Sequence, residues 1–132
     1  MDRLEIKTKA HAEFRDITAE VQAAVSRAKV ASGVAHVFVP HTTAGLTINE
    51  NADPDVTADI LATLERMVPW RQPHYQHSEG NSAAHIKASM MGFSAAVPVE
   101  NGALALGVWQ ALYLCEFDGP RTRQVWVRIG AL

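Results

Sequence analysis

A cluster of polar and ionisable side chains follows an apolar stretch in the first half of the sequence. Residues 34–39 are largely apolar, Pro40 breaks the pattern, and His41, Thr42 and Thr43 come next. Asn49, Glu50, Asn51, Asp53 and Asp55 then follow. Imidazole, hydroxyl and carboxylate groups are what proton transfer, phosphate binding and metal ligation require. We therefore predict that these residues form part of a pocket wall at the end of a strand.

Two further histidines, His77 and His85, enclose the segment HSEGNSAAH. Gly80 gives this segment backbone freedom, so its N–H groups could form an anion-binding concavity at the start of a helix. Imidazole nitrogens also suit zinc, and a third ligand from His41 or Glu50 would complete an open site of catalytic type, although the spacing is far looser than H-E-x-x-H. We predict that His41, His77 and His85 converge on one site and bind a divalent metal ion, zinc or magnesium.

The remaining histidines have simpler interpretations. His36 alternates with Val34 and Phe38 along a strand, so we expect it to pack and hydrogen-bond within a sheet. His11 lies near an exposed end, and His74 lies in a loop between a proline and a tyrosine. Both are expected to be structural or solvated.

The segment GVWQALYLCEFDGPR places polar residues within an apolar strand. Gln110 and Glu116 share a face with two leucines, although such side chains are seldom fully buried unless they are paired. Either Gln110 satisfies the strand end and Glu116 forms a salt bridge at the rim with Arg121 or Arg123, or both residues face the histidine pocket. The two arginines follow a tight turn, where a guanidinium could bind a phosphate through two N–H groups. Trp109 is expected to pack in the core or to contact another subunit.

The order of elements predicts an α+β fold in a single domain of residues 1–132. Strands are expected at 3–10, 33–40 and 44–50 and through most of the last forty residues, and helices at 18–31, 54–68 and 83–91. Thr18 and Asp53 are the expected N-caps of the first two helices. Residues 69–82 form an irregular loop, and loops of this length are usually functional or disordered. We expect two to three helices packed on one side of a curved, largely antiparallel sheet.

Composition narrows the class of protein further. The formal net charge of −2 gives no electrostatic basis for binding nucleic acid or an anionic membrane surface. No apolar stretch approaches the roughly 18 residues of a membrane span. The single cysteine, Cys115, excludes an intrachain disulfide and fits a reducing compartment, so a cytoplasmic location is expected. G-x-S-x-G, P-loop and dinucleotide-binding motifs are absent, so a nucleophilic serine or cysteine enzyme has little support.

Three long segments together resemble one known family. HTTAGLTINENADPDV, HSEGNSAAHIKAS and VPVENGALALGVWQALYLCEFDGPRTR occur in this order and cover nearly the whole chain. They are similar to the secondary thiamine-phosphate synthase family, the YjbQ-type proteins. One position departs from the family pattern, because the usual Gly-Thr-Trp-Gln stands here as Gly107, Val108, Trp109 and Gln110, with one hydroxyl fewer.

The resemblance implies a barrel-like mixed sheet, a homotrimer, and polar pockets near the subunit boundaries. The characteristic polar residues of the family correspond here to His41, Thr42, Thr43, Asn49, Glu50, Asp53, His77, Glu79, Gly80, His85, Lys87, Trp109, Gln110, Glu116 and Arg121. Catalytic roles are expected for His41, Glu50, His77, His85, Gln110 and Glu116. Substrate or phosphate binding is expected for Thr42, Thr43, Asn49, Gly80, Lys87 and Arg121.

The implied activity, expected to be weak, joins hydroxymethylpyrimidine diphosphate to thiazole phosphate and gives thiamine phosphate and pyrophosphate. This reaction needs cationic stabilisation of the leaving diphosphate and close placement of the thiazole nitrogen. Arg121, Lys87 and a histidine-bound metal ion could supply the charge, while Glu50 and Glu116 could hold the metal or orient the pyrimidine amine. The physiological reaction could be a different one on a phosphorylated small molecule. The alternative is a non-catalytic homotrimer that binds a metabolite or a metal.

Overall fold

Eight strands form two sheets in the computed structural model, which describes all residues from Met1 to Leu132. The strands are β1 (Asp2–Lys7), β2 (Glu13–Asp16), β3 (Gly33–Phe38), β4 (Ala44–Glu50), β5 (Ser94–Glu100), β6 (Ala103–Leu104), β7 (Gln110–Glu116) and β8 (Thr122–Ala131), and the helices are α1 (Thr18–Ala28), α2 (Pro54–Met67) and α3 (Ser82–Met91). One sheet has the order β1-β8-β3-β5-β6 and the other β2-β7-β4. The predicted α+β class is confirmed, and every strand pair is antiparallel, so the sheets are not mixed.

Strand β7 is buried on both of its faces, which explains its nearly continuous apolar sequence. Leu112 and Leu114 face the main core, where the inner surfaces of the two sheets meet α1. Tyr113 and Cys115 face a second core, which α2 and α3 cover. The thiol of Cys115 is completely enclosed there, and burial raises its pKa above the ordinary value. The molecule is therefore layered as sheet, sheet and helices, with β7 in the middle layer.

The first helix begins and ends differently from the prediction. It ends at Ala28 rather than near residue 31, and Lys29 adopts a left-handed conformation with φ of 54°. Asp16 satisfies the first N–H group of the helix, because its carboxylate accepts a hydrogen bond from the backbone N–H of Thr18 at 2.9 Å. Thr18 does not cap the helix, because its hydroxyl accepts a hydrogen bond from the backbone N–H of Leu112 instead. The hydroxyl thus joins α1 to β7.

The second helix begins as predicted. The carboxylate of Asp53 accepts from the backbone N–H of Asp55 at 2.9 Å, and Pro54 occupies the first helical position. Residues 69–81 form an irregular connection, and α3 begins directly after it. No helix of the molecule is both long enough and apolar enough to span a membrane.

Two predicted packing positions are exposed. His36 lies on the solvent-facing side of the five-stranded sheet instead of being packed against another layer. Residues 105–109 interrupt the predicted long strand, and Val108 and Trp109 at its tip are 84% and 61% exposed. Trp109 therefore does not pack in the core of this chain, because the loop carries it away from β7.

Candidate functional site

Three of the predicted site histidines line one cleft of about 450 Å³. The strand end after β3 contributes His41, the loop before α3 contributes His77, and α3 itself contributes His85. We call this space the polar cleft, and the residues that line it are Pro40, His41, Thr42, Thr43, His77, Glu79, Asn81, His85, Arg121 and Arg123. All of them except Pro40 carry polar side chains. A cleft of this composition is suited to a polar or charged ligand rather than an apolar one.

A buried salt bridge lies beneath the polar cleft. Arg123 donates from Nε to Oε1 of Glu116 at 2.9 Å and from Nη2 to Oε2 at 2.5 Å, and the two side chains are 3% and 0% exposed. Glu116 also accepts from the hydroxyl of Thr8 and the backbone N–H of Asp118. Burial acts to raise the pKa of Glu116, but these hydrogen bonds outweigh it and the pKa is lowered. Glu116 is therefore an anion at neutral pH, paired deep in the molecule rather than at a rim.

Arg123 has one nitrogen left for a ligand. Its Nη2 also donates to the hydroxyl and the backbone oxygen of Thr43 at 2.8 and 3.3 Å, so Nε and Nη2 are fully used within the chain. Nη1 makes no hydrogen bond within the chain and is not among its fully enclosed polar atoms. Arg123 lines the polar cleft, and Nη1 carries two N–H donors that no group of the chain uses, on a guanidinium that the salt bridge holds in place.

His41 is held as a neutral ring with a defined tautomer. Its Nε2 accepts a hydrogen bond from the backbone N–H of Gln124 at 2.8 Å. Burial lowers the pKa of His41, and the nearby charge of Arg123 lowers it further. The neutral ring with Nε2 as acceptor carries its proton on Nδ1, so His41 offers an N–H donor rather than a lone pair.

This depressed pKa makes the protonation of His41 a measurable prediction. In an NMR titration the His41 imidazole, assigned with a His41→Asn variant, is expected to have its midpoint below the ordinary value of 6.5. Because the folded pKa lies below the unfolded one, the stability contributed by His41 is complete above about pH 6.5 and is lost as the pH falls towards the folded pKa. A midpoint at or above 6.5 would contradict the depression of this pKa by burial and by the charge of Arg123.

His77 and His85 form a pair of rings beside this donor. Their ring centroids are 5.4 Å apart with an interplanar angle of 82°, an edge-to-face arrangement. Nε2 of His77 lies 3.9 Å from a carboxylate oxygen of Glu79, which is close enough for electrostatic attraction but too far for a hydrogen bond. Two imidazoles whose nitrogens have no hydrogen-bond partner in the chain are candidates for proton transfer to a bound ligand.

The residues do not fit a metal site with three protein ligands. No group of three His, Cys, Asp or Glu side chains is arranged to hold a metal ion. His41 cannot serve as a ligand through Nε2 without losing its hydrogen bond from Gln124. The pair His77 and His85 is the part of the polar cleft that could still bind a divalent ion, so metal binding stays a prediction for these two residues.

A model of the family described as UPF0047 protein YjbQ-like matches residues 2–131. The chain belongs to this family. It is 52% identical over 126 residues to YugU of Bacillus subtilis, covering 96% of each chain, and 46% identical to MJ1081 of Methanocaldococcus jannaschii, covering 96% of this chain and 91% of that one. A crystal structure of a YjbQ/UPF0047 protein from Clostridium acetobutylicum matches with a TM-score of 0.96 and 54% identity, over 98% of this chain and 100% of that one. These names give a family and no reaction, so the chemistry has to be argued from the site.

Two predicted cations of the YjbQ-like chain are already paired with carboxylates. Arg121 lines the polar cleft at its edge, where it is about half exposed and bonded to Asp118 through Nε and Nη2. Lys87 does not line the polar cleft, because it is buried between α3 and α2 and its Nζ lies 2.7 Å from Glu65. No local pattern indicates this pair between two helices, and the cation at the base of the cleft is Arg123 instead.

The rest of the predicted polar set lies at the far end of the second sheet. In the pairing of β4 with β7, Ala44 lies opposite Glu116 and Glu50 lies opposite Gln110. The two ends are six residue steps apart along the strand, a distance of about 20 Å. Asn49, Glu50, Asp53, Trp109 and Gln110 therefore do not reach the polar cleft of the same chain. The side chains of Asn49, Asp53 and Gln110 have local partners, such as the bond from the backbone N–H of Gly107 to the Gln110 amide oxygen.

Two residues at the site had no role in the sequence-based prediction. Thr8 donates to Glu116 and accepts from the backbone N–H of Arg121, which ties β1 to the salt bridge. Asn81 lines the polar cleft and donates from its amide to the carboxylate of Asp118 at 2.9 Å. The only sequence signal was that Thr8, directly after β1, continues the alternation of Leu4 and Ile6.

Proposed function

We propose that this YjbQ-like protein is an enzyme acting on a phosphorylated small molecule, whose anionic group binds in the polar cleft. The observation that carries the proposal is the unpartnered Nη1 of Arg123, a donor group on a guanidinium that lines the polar cleft and that a buried salt bridge holds in place. Donors fixed in advance at a site of limited water access are the main means by which enzymes stabilise phosphoryl charge. His41 Nδ1–H and Thr42 are further groups at this site.

Hydrogen-bond donors of the cleft, rather than an excess of positive charge, suit an anion. Arg121 and Arg123 line the cleft, but each is paired with a carboxylate, Asp118 and Glu116 respectively. The groups left without a partner in the chain include Nη1 of Arg123 and the Nδ1–H of His41. The oxygens of a diphosphate, which all accept hydrogen bonds, match these donors.

The reaction we propose is the coupling that the family resemblance implies. The thiazole nitrogen would donate its electron pair to the methylene carbon of hydroxymethylpyrimidine diphosphate, and the carbon–oxygen bond to the diphosphate would break with its electron pair leaving on oxygen. No oxidant is needed, and the products are thiamine phosphate and pyrophosphate. Arg123 and His41 would stabilise the departing oxygens, and His77 or His85 would donate a proton to them.

We also propose that the protein functions as a homotrimer. The exposed Val108 and Trp109 support this, because they form an apolar loop tip that this chain leaves uncovered. The far-end residues Asn49, Glu50 and Gln110 lie near the same tip. Contact between subunits at that end would bring those polar residues beside another subunit. They could then line a site between subunits, although they do not reach the polar cleft of their own chain.

Pyrophosphate affinity tests the proposed function. Arg123→Lys keeps a positive charge beside Glu116 but removes Nη1, so we expect the Kd for pyrophosphate in calorimetry to rise at least about tenfold, or about 1.4 kcal/mol. Arg128→Lys, an exposed arginine on the same strand, is the matched control and should bind as the wild type does. Wild-type protein that does not bind pyrophosphate, or binds it equally well after Arg123→Lys, would overturn the proposal.

A further inference from the structure

A smaller cavity adjoins the polar cleft. It has a volume of about 290 Å³, at the lower end of the range for small-molecule sites, and shares His41, Thr42 and His85 with the cleft. We call it the alkyl pocket, and its other lining residues are Ala44, Ala88, Ser89 and Phe93. We propose that it binds the short aliphatic chain of a phosphate monoester whose phosphate group lies in the polar cleft. This inference rests on the proposed function and adds an acyclic class of ligand to it.

Apolar side chains form the part of the alkyl pocket that lies outside the polar cleft. Ala44, the first residue of β4, and Ala88 on α3 are the two most buried of its lining residues. Phe93, just before β5, is 58% exposed and adds an aromatic wall. No carboxylate, lysine or arginine lines the pocket. Methylene and methyl groups are stabilised against such walls, because their transfer from water to an apolar surface is favourable.

Close packing of α3 on β4 forms the pocket before any ligand binds. A Cβ atom added at Gly45 would lie 2.8 Å from the backbone oxygen of Gly92 and 3.0 Å from Cβ of Met91, so the strand has no room for a side chain there. The backbone N–H of Leu46 also donates to the backbone oxygen of Gly92 at 2.9 Å. These contacts fix the helix on the strand, and with it the distance between the two alanines of the pocket. A ligand that enters a preformed pocket pays less for ordering the protein.

The side chains on the apolar side of the pocket offer no unused hydrogen-bond donor. The hydroxyl of Ser89 donates to the backbone oxygen of His85 at 2.9 Å, and the alanines and Phe93 have no polar side-chain group. Ring nitrogens of a ligand would therefore leave acceptors unpaired at these side chains, which costs binding free energy. A hydrocarbon chain has no such groups, so this side of the pocket favours it.

The shared residues mark the junction between the two spaces. His41, Thr42 and His85 line both of them, whereas Arg123 lines the polar cleft alone. A monoester whose phosphate binds Nη1 of Arg123 and the Nδ1–H of His41 would have its chain in the alkyl pocket. Its ester oxygen would then lie at the junction, beside the imidazole of His85.

The test compares inorganic phosphate with methyl, ethyl, propyl and butyl phosphate in calorimetry on the full-length protein at pH 7.5. For the wild type, each added methylene is expected to lower the Kd about two- to fourfold. Ser89→Phe should fill the pocket from an exposed position and remove this dependence on chain length, with the Kd for inorganic phosphate unchanged. Phe93→Ala should also remove it, because a wall is lost. Met90→Phe is the matched control, because Met90 follows Ser89 on α3, is 47% exposed, and does not line the alkyl pocket.

The outcomes separate this inference from the proposed function. Equal Kd values from methyl to butyl phosphate in the wild type would overturn the inference, and so would a chain-length dependence that survives both Ser89→Phe and Phe93→Ala. Arg123-dependent binding of inorganic phosphate would leave the proposed function standing in either case. Butyl phosphate that shifts the NMR signals of residues 85–93 equally in wild type and Arg123→Lys, without any binding of inorganic phosphate, would support the alkyl pocket and overturn the function based on the polar cleft.

Discussion

Replacing Arg123 with methionine is expected to lower the free energy of unfolding by about 3–5 kcal/mol at pH 7. The substitution leaves Glu116 as a fully buried carboxylate without its cation, and an uncompensated buried charge is among the most destabilising defects a single change can create. Urea denaturation followed by tryptophan fluorescence would measure the loss. Arg128→Met, on the exposed face of the same strand, should change the free energy by less than about 0.5 kcal/mol.

A double substitution separates the buried charge from the lost packing. Adding Glu116→Gln to Arg123→Met removes the uncompensated charge, so we expect a large part of the stability to return. The pH dependence has a defined sign as well. The lowered pKa of Glu116 means that its contribution is present above the unfolded value of 4.5 and is lost as the pH falls through the folded pKa. A loss below about 1 kcal/mol for Arg123→Met would mean that the pair contributes no more than an exposed one.

The second large effect concerns catalysis rather than stability. His77→Ala and His85→Ala are each expected to reduce kcat/KM for the proposed coupling about 10²- to 10⁴-fold, the usual contribution of a general acid or base. Release of pyrophosphate from hydroxymethylpyrimidine diphosphate in the presence of thiazole phosphate is the measurement. His36→Ala, an exposed histidine on the outer face of the five-stranded sheet, is the control and should retain full activity.

The same variants distinguish the rival roles of the histidine pair. Metal bound stoichiometrically in wild type and lost in both variants would support the metal prediction for His77 and His85. Pyrophosphate affinity close to that of wild type, together with the loss of turnover, would indicate that the imidazoles transfer protons and do not bind the diphosphate. Full activity in both variants would refute their catalytic role, and the non-catalytic alternative would then be favoured.

Local sequence signals predicted most of the elements, and they predicted the start of α2 and the end of α3 best. Asp53 followed by Pro54 identified the start of α2, and Gly92 follows the last residue of α3. The three histidines line one cleft because the end of β3 and the start of α3 both lie at the same end of the second sheet as Glu116. The two helix ends were predictable because each depends on the residues next to it, whereas the meeting of the histidines depends on how the elements pack.

The predictions of site residues and caps were wrong where the bonding partner of a side chain lies far away in the sequence. Lys87 and Arg123 are both cations near the site, but Glu65 takes one and Glu116 the other, and no local pattern indicates which. Thr18 has the residue type of an N-cap, yet its hydroxyl binds the backbone of β7. The two ends of the β4–β7 pair could not be assigned to separate sites before the register was known, because alternation gives a face and not a position along the strand.

The enclosure of Cys115 determines how this protein responds to oxidants. Thiolate, not thiol, reacts with peroxides and disulfides, and the buried group on β7 has both a raised pKa and no contact with solvent. The only sulfhydryl of the chain can therefore form a mixed disulfide or a sulfenic acid only when β7 separates from α2 and α3. Oxidative damage at this atom is consequently coupled to unfolding, and an intact fold protects it as long as the second core stays closed.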